Sequence, residues 1–584
     1  MSKFRAAAAL CAAVMCFAAA GCGDEIKHNK NTAADGLTTA DQDTTDAEDT
    51  DTVPTPKTVE EGGKEPAVPV YDEINVSGSK VAYKEFSKRF EAEEGALGQA
   101  VRADKREGSS GEGYVTNISS DGDWQISADI ETQQYYNITI AVASDGAARN
   151  GISVNGVKLS EFTTMGTGVF ETCTFKNILL PKGKNSVSLV IEQGGVDVDY
   201  VEITASQDIA KLSYSLGTPL LSDQNADGSA KGLYKYLCES FGQTVLLGQY
   251  DTVGTSYETD LIYTTTGKYP AIRFGDLMEI TGGEETAQNC ADELAAAKKW
   301  HQDGGIVGYM WNWTSPIDKA NTDSIYAENC TFDITRAVTE ESVASLKAED
   351  IMALYKEGKV HAETVKLIED IDTAAAALKE LQAENIPVIW RPLQEASNGL
   401  YWWGKDEEAY KWTYKLMYDR MTAYHGLHNL IWVWSAQNVK WYVGDNYCDV
   451  LSVDVYSDDG SKDAKVNSLL YLQNICNSKP IAMSECGSLP LIQSIADENA
   501  KWSYIGQWGA NFIVDEKGRL SEEYNTAEDL ITIYNNNLTT TRDSLPDMEL
   551  YEKKAAADEA AAKAEAAKKK AQEQEKNSDS SGEE

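Results

Sequence analysis

The sequence predicts two folded units, an all-β sandwich domain followed by an α/β domain of the (β/α)8 class, the TIM barrel. Before about residue 206, apolar and polar residues alternate with period two, as in YNITIAVA and NSVSLVIEQ, which is typical of half-buried strands. After about residue 212, short apolar runs alternate with longer helical stretches, which indicates parallel strands joined by helices. A chain of 584 residues is long enough for both units.

The second unit contains the apolar runs from which a barrel is built. They begin at Thr244, Tyr269, Gly305, Ile386, Asn429, Asp449, Pro480 and Trp502. Polar or aromatic residues gather at the carboxyl end of each run, and barrel active sites are built at that end of the strands. We therefore expect the functional residues to lie there.

The N-terminus has the features of an export signal. Lys3 and Arg5 precede an apolar run over residues 6–20, and small residues lead to Cys22. This segment resembles a bacterial lipoprotein signal, which implies a signal peptide over residues 1–21 and lipidation of Cys22. The expected location is the outer face of a bacterial cell membrane, with the lipid anchor as the only membrane contact. Ordinary cleavage and full secretion is the alternative.

The character of the remaining segments is predicted from their amino-acid composition. Residues 22–67 are acidic and poor in apolar side chains, which predicts a disordered tether. We expect the sandwich over residues 68–206, the barrel over 207–550 and an Ala/Glu/Lys-rich tail, helical or disordered, over 551–584. The formal net charge of −41 repels polyphosphates, so nucleic acid is not an expected partner.

Two glutamates follow strands on opposite sides of the predicted barrel mouth. Glu395 ends the fourth apolar run and Glu485 ends the seventh. Two carboxyl groups about 5 Å apart carry out retaining glycoside hydrolysis, in which one protonates the leaving oxygen and the other attacks carbon. Either glutamate alone has an equally good interpretation as an ion-paired strand end, but the pair favours catalysis.

The segment RPLQEASNGLYWWG around Glu395 resembles the fourth-strand signature of glycoside hydrolase family 26. The resemblance extends from about Thr244 to Asn511 through YPAIRFGD, GGIVGYMWNW, IWVWSAQ, VDVYSDD and MSECG. Most members are β-mannanases, and some act on β-1,3-xylan or mixed-linkage β-glucan. The resemblance implies that Glu395 is the acid/base and Glu485 the nucleophile. It also implies that Tyr456 orients the nucleophile.

The same resemblance suggests further site residues. Arg391 would keep the nucleophile ionised, and Asp276 matches an aspartate on the second strand, where a structural role is equally plausible. Gln394 and Asn312 stand where the family usually has histidine, and both retain hydrogen-bonding groups for sugar hydroxyls. Tryptophans at strand ends offer faces for sugar rings, although some are expected to be barrel packing. These are Trp311, Trp402, Trp403, Trp434 and Trp508.

The predicted sandwich resembles carbohydrate-binding module family 35. The match runs from FEAE at Phe90 through GEGYVTNISSDGDW to VDVDYVEI. It implies a structural calcium held by Glu91, Glu93 and Asp199, since oxygen ligands suit that ion. A solvated acidic strand pair is the alternative.

Together these patterns predict a monomeric surface lipoprotein that cleaves β-1,4-mannosidic bonds in mannan, glucomannan or galactomannan with retention. Its expected partner is a plant-type β-mannan or a related polysaccharide, and catalysis needs no cofactor. One alternative is the same mechanism acting on β-1,3-xylan or mixed-linkage β-glucan. Another is a noncatalytic cell-surface polysaccharide-binding lipoprotein.

Overall fold

We describe a computed structural model, which covers residues 68–78, 83–217, 219–283, 286–457 and 461–580. The predicted signal peptide, Cys22 and the acidic tether lie outside these residues. Within the described ranges, no helix is both long enough and apolar enough to cross a membrane.

The first unit is a sandwich of two antiparallel sheets. In one sheet the strand order is β3-β4-β11-β6-β9, with β1 added on β11, and in the other it is β2-β5-β10-β7-β8. Strict alternation of buried and exposed residues along Trp124–Ile130 shows why this sequence forms a strand with one face in the core. The strands are β1 Ser87–Glu91, β2 Ala96–Leu97, β3 Val101–Ala103, β4 Tyr114–Thr116, β5 Trp124–Ile130, β6 Gln134–Ala143, β7 Ala148–Val154, β8 Val157–Thr164, β9 Glu171–Leu180, β10 Gly183–Gln193 and β11 Asp197–Ala205.

The second unit is a closed barrel of parallel strands, as predicted. The order runs from β13 through β19 to β12, and β12 also pairs with β13, which closes the ring. A short strand, β20, adds to β12 outside the ring. The strands are β12 Val245–Tyr250, β13 Ile272–Asp276, β14 Ile306–Trp311, β15 Val388–Pro392, β16 Leu430–Trp434, β17 Val450–Val455, β18 Ile481–Cys486, β19 Tyr504–Gln507 and β20 Thr539–Thr540. Each ring strand falls within one of the predicted apolar runs.

Helices surround the barrel and bury their apolar faces against it. Side chains cap several of them: Asp227 accepts a hydrogen bond from the amide of Ala230, and Asp406 accepts one from the amide of Ala409. The helices are α1 Gly228–Ser240, α2 Tyr257–Thr266, α3 Ala287–Gln302, α4 Ile334–Ala337, α5 Ala348–Lys356, α6 Ala362–Ala383, α7 Glu407–Asp419, α8 Val466–Ile475, α9 Ile492–Glu498, α10 Ala527–Tyr534 and α11 Met548–Ser580.

The C-terminal tail forms α11, whose first turns pack on α1. The ring of Tyr551 lies 5.1 Å from that of Tyr236, edge to face, and Lys231 pairs with Glu559 at 2.9 Å. Beyond this contact the described side chains of α11 are largely exposed, which fits their lack of large apolar groups.

Candidate active site

Three buried carboxyl groups meet at the carboxyl ends of the barrel strands. They belong to Glu395, Asp454 and Glu485, and an oxygen of each lies within 4.8 Å of oxygens of the other two. All three residues are at most 5% exposed. The structure thus brings together the two predicted catalytic glutamates and adds an aspartate that sequence analysis did not select.

An unusual backbone conformation directs Glu395 into this cluster. Leu393 and Glu395 have φ angles of 55° and 52°, in the left-handed region that side-chain-bearing residues rarely adopt. The Glu395 amide donates to the carbonyl of Ser435 at 2.9 Å, which ties the turn to β16. Such conformations cost about 1–3 kcal/mol each and are concentrated at functional sites.

A bulge between two neighbouring strands places Asp454 beside Glu485. Along β17 and β18, Val453 pairs with Met483 but Asp454 pairs with Glu485, so Ser484 is the extra residue. Bulges redirect side chains and are frequent next to active sites. The irregularity therefore brings both carboxyl groups to the same end of the barrel.

Glu485 is held by a cation and a phenol. Its Oε1 accepts a hydrogen bond from the Arg391 guanidinium, and its Oε2 accepts one from the Tyr456 hydroxyl at 2.8 Å. Arg391 also donates to Asp454 at 2.9 Å and to the Tyr250 hydroxyl at 3.0 Å. These contacts fix the orientation of the carboxyl group.

The balance of charge in the cluster favours retention of a proton. Among the residues that the structure describes, Arg391 is the one guanidinium paired with these carboxyl groups, and it contacts Asp454 and Glu485. Burial raises the pKa of Glu395 well above its usual range, and the charges of Asp454 and Glu485 raise it further. Burial, together with the charge of Glu485, also raises the pKa of Asp454. Both carboxyl groups are therefore shifted toward their protonated forms.

A hydrogen-bonded chain links Gln394 to β13. The amide group of Gln394 donates to Asn312 Oδ1 at 2.7 Å, and Asn312 Nδ2 donates to Asp276 Oδ2 at 2.8 Å. Asp276 Oδ1 also accepts from the amides of Asn312 and Met278, which accounts for its position at the strand end. Burial raises the pKa of Asp276 to about 7. Gln394 and Asn312, which were predicted to contact sugar hydroxyls, are thus joined to Asp276 in one network.

Four of the five predicted sugar-stacking tryptophans are in the core, so that prediction requires correction. Trp311, Trp402, Trp403 and Trp434 are at most 1% exposed and offer no free face to a sugar ring. Their indole rings pack against other aromatic rings, as in the 5.4 Å edge contact between Trp402 and Trp403. Trp508 is the partly exposed member of the set, and its ring lies 4.9 Å from that of Tyr250.

Sequence reasoning missed Asp454 and Tyr250, which both contact Arg391. A signal for Asp454 was present, because it lies two residues before Tyr456 and alternate residues of a strand share a face. Tyr250 is the last residue of β12, and the site residues predicted from the sequence likewise lie at or near the carboxyl ends of strands. Asn398, which donates to Glu395 Oε2 at 2.9 Å, was also missed and lies in the loop next to that residue.

Two family models match the chain. Residues 222–544 match glycosyl hydrolase family 26, and residues 88–206 match carbohydrate binding module family 35. These ranges cover the barrel with most of its helices and the sandwich.

Individual proteins show similarity over both units. A mannan endo-1,4-β-mannosidase of Thermothelomyces thermophilus is 31% identical over 78% of this chain and 90% of its own length. A Podospora anserina β-(1,4)-mannanase structure, which carries domains of both families, has 30% identity and a TM-score of 0.52, covering 79% of this chain and 99% of its own. The structure of a ruminal endo-β-1,4-mannanase has 27% identity and a TM-score of 0.56, covering 80% and 99%.

Proposed function

Because the chain belongs to glycosyl hydrolase family 26, we propose that it hydrolyses β-1,4-mannosidic bonds in mannan, glucomannan or galactomannan with retention of configuration. The observation that carries the mechanism is the buried pair of Glu395 and Glu485, with oxygens within 4.8 Å of each other. This separation suits the retaining reaction, in which the two carboxyl groups are about 5 Å apart.

The two glutamates have different environments, and these assign their roles. Glu395 holds a proton because of burial and the neighbouring carboxylates, so it protonates the glycosidic oxygen of the leaving sugar. Glu485 receives hydrogen bonds from Arg391 and Tyr456, which align it to attack the anomeric carbon. Water then releases the sugar from Glu485, and Glu395 takes the proton from that water.

The direct test measures new reducing ends from galactomannan, β-1,3-xylan and mixed-linkage β-glucan in separate reactions. We expect release from galactomannan, with loss of activity in both Glu395→Gln and Glu485→Gln. Glu498→Gln is the matched control, because Glu498 is another largely buried carboxyl group but lies at the end of α9. Release from another polymer alone would reassign the substrate, and binding without release from any polymer would indicate a capture protein.

We further propose that the sandwich holds a structural calcium. Ser110 donates to Glu91 at 2.8 Å and through its amide to Asp199 at 2.7 Å, and Glu93 Oε1 accepts from the amide of Glu112. Glu93 Oε2 is buried with no hydrogen-bond partner, and burial beside Glu91 and Glu93 raises the pKa of Asp199. Carboxylate oxygens are ligands that suit calcium, and a cation bound here would neutralise their charge. Addition of calcium after chelation should raise the Tm of the wild type and should leave that of Glu93→Gln unchanged.

The sandwich is proposed to bind the same polysaccharide. A cavity of about 200 Å³, lined among others by Arg106, Asn117, Asp145 and Asp197, lies between its loops. Arg106 is paired with Asp145 at 2.9 Å and with Asp197 at 2.8 Å, so its charge is already balanced. That balance favours a neutral sugar over an acidic one. Retardation by galactomannan in affinity electrophoresis should be lost in Asn117→Ala while catalytic activity on soluble substrate persists.

The N-terminal signal supports a proposal about location. We propose that the mature chain starts at Cys22, carries lipid there and faces the outside of a bacterial cell membrane. Membrane fractionation and mass spectrometry of the N-terminus test this directly. Cys22→Ala should leave the protein in the soluble fraction, and soluble wild-type protein without lipid would instead show secretion.

A further inference from the structure

The proposed acid/base residue has contacts with opposite effects on its proton. Burial and the carboxyl groups of Asp454 and Glu485 favour the protonated form of Glu395, which the first half of the reaction needs. The second half needs the ionised form, because Glu395 then accepts a proton from water. A neutral donor that contacts the carboxylate would favour this second state without adding charge.

Asn398 supplies such a donor. Its Nδ2 donates to Glu395 Oε2 at 2.9 Å, and its backbone amide donates to the Glu395 carbonyl at 3.1 Å. The short 3-10 helix Ala396–Asn398, which begins directly after Glu395, places the two residues next to each other. This contact is separate from the ion pairs of Arg391, which involve the other two carboxyl groups.

A second hydrogen bond sets which end of the Asn398 amide faces Glu395. The amide of Leu400 donates to Asn398 Oδ1 at 2.8 Å, a turn that asparagine side chains commonly form. Since the oxygen is occupied by this backbone donor, the NH2 group is directed at the carboxylate. Rotation of the amide by half a turn would break both bonds and place an oxygen against the carboxylate.

We propose that Asn398 is a positioning residue for the second half of the reaction, in which its amide holds ionised Glu395 ready to accept a proton. In that step the oxygen of water bonds to the anomeric carbon and the bond from that carbon to the Glu485 oxygen breaks. The electron pair of the broken bond returns to Glu485, and the proton of the water passes to Glu395. This inference rests on the proposed function.

The test separates the two half-reactions with two substrates. A 2,4-dinitrophenyl β-mannobioside has a leaving group that needs no acid, so the second step limits kcat. For Asn398→Ala we expect about a tenfold lower kcat and a lower KM on this substrate, as the glycosyl-enzyme accumulates. Its kcat on galactomannan, where the first step limits, should fall less. Azide attacks without a general base and should restore turnover of the aryl substrate.

The pH profile provides a readout that a merely structural role would not change. Loss of the donor raises the pKa of Glu395, so the acidic limb of kcat on the aryl substrate should move up by about one pH unit. Asn398→Asp keeps the shape of the side chain and loses the donor when ionised, and it should show the same shift. Because Asn398 is exposed, its replacement should leave the fold intact.

The matched control is Asn321→Ala. The side chain of Asn321 also donates to a nearby carboxylate, that of Asp318, at 3.4 Å, and accepts from the backbone amide of Asp323 at 3.2 Å. Asn321, however, lies in the loop after β14. It should retain wild-type kinetics. Equal losses on both substrates in Asn398→Ala without azide rescue, or an unshifted profile, would overturn the inference. Inactive wild type on both substrates would overturn the proposed function instead.

Discussion

Replacement of Asp454 by asparagine tests most directly how electrostatics sets the pKa of Glu395, the proposed acid/base. The change keeps the size of the side chain and removes one carboxyl group from the cluster. In the resting enzyme the charge of Asp454 raises the pKa of Glu395 and so favours its protonated form. Without that charge Glu395 loses its proton more readily, so activity should decline at lower pH than in the wild type.

The size of the shift follows from the geometry. Unit charges 4.8 Å apart interact by about 3.5 kcal/mol at an effective dielectric constant of about 20, which is about 2.5 pH units. Arg391 lies 2.9 Å from Asp454 and offsets part of this effect, so we expect a shift of about 1–2 units.

The assay is the pH dependence of kcat/KM on soluble galactomannan, whose basic limb reports the acid in the free enzyme. The matched control is Asp449→Asn, the same change in a buried carboxyl group just before β17, at the far end from the site. The control should leave the basic limb in place. An Asp454→Asn limb that stays in place or moves to higher pH would refute the reasoning.

Three further substitutions test other parts of the structure. Tyr456→Phe removes the 2.8 Å hydrogen bond to Glu485, so steady-state assays should show a kcat about tenfold to hundredfold lower. Thermal unfolding should show an unchanged Tm, and a wild-type kcat would contradict the assigned role. Trp402→Ala should reduce the free energy of unfolding in urea by about 3–5 kcal/mol, because the ring is buried. Weaker substrate binding at unchanged stability would argue instead for a sugar contact. Burial raises the pKa of Glu498 to about 7, so the wild type loses stability as the pH rises from about 4 to about 7. In urea unfolding, the free energy of unfolding of Glu498→Gln should therefore exceed that of the wild type by up to about 3 kcal/mol at pH 8 and by little at pH 5. Equal increases at the two pH values would contradict this.

Much of the fold could be predicted because each barrel strand is an apolar run with polar residues at its carboxyl end. That local pattern marks strands buried on both faces, and the order of strands and helices then predicts a parallel barrel. The prediction of a barrel preceded by an all-β domain is confirmed, and so is the family prediction.

The proposed catalytic pair could be predicted for the same reason. Glu395 and Glu485 follow apolar runs directly, and strand ends of a closed barrel converge at one mouth. The burial of the tryptophans could not be predicted from the sequence, because a tryptophan at a strand end faces either the cleft or the layer of helices. Trp402 and Trp403 are turned into the core, where their ring nitrogens donate to the carbonyls of Trp313 and Gln394.

The sequence by itself determined which segments are strands, which strand ends carry glutamates and where the two domains lie, since periodicity and composition are local properties. The tertiary structure alone decided that Asp454 faces Glu485 across a bulge and that Asn398 donates to Glu395. These contacts depend on the register between strands distant in the chain and on the conformation of one loop. Both are set by the packing of the whole barrel.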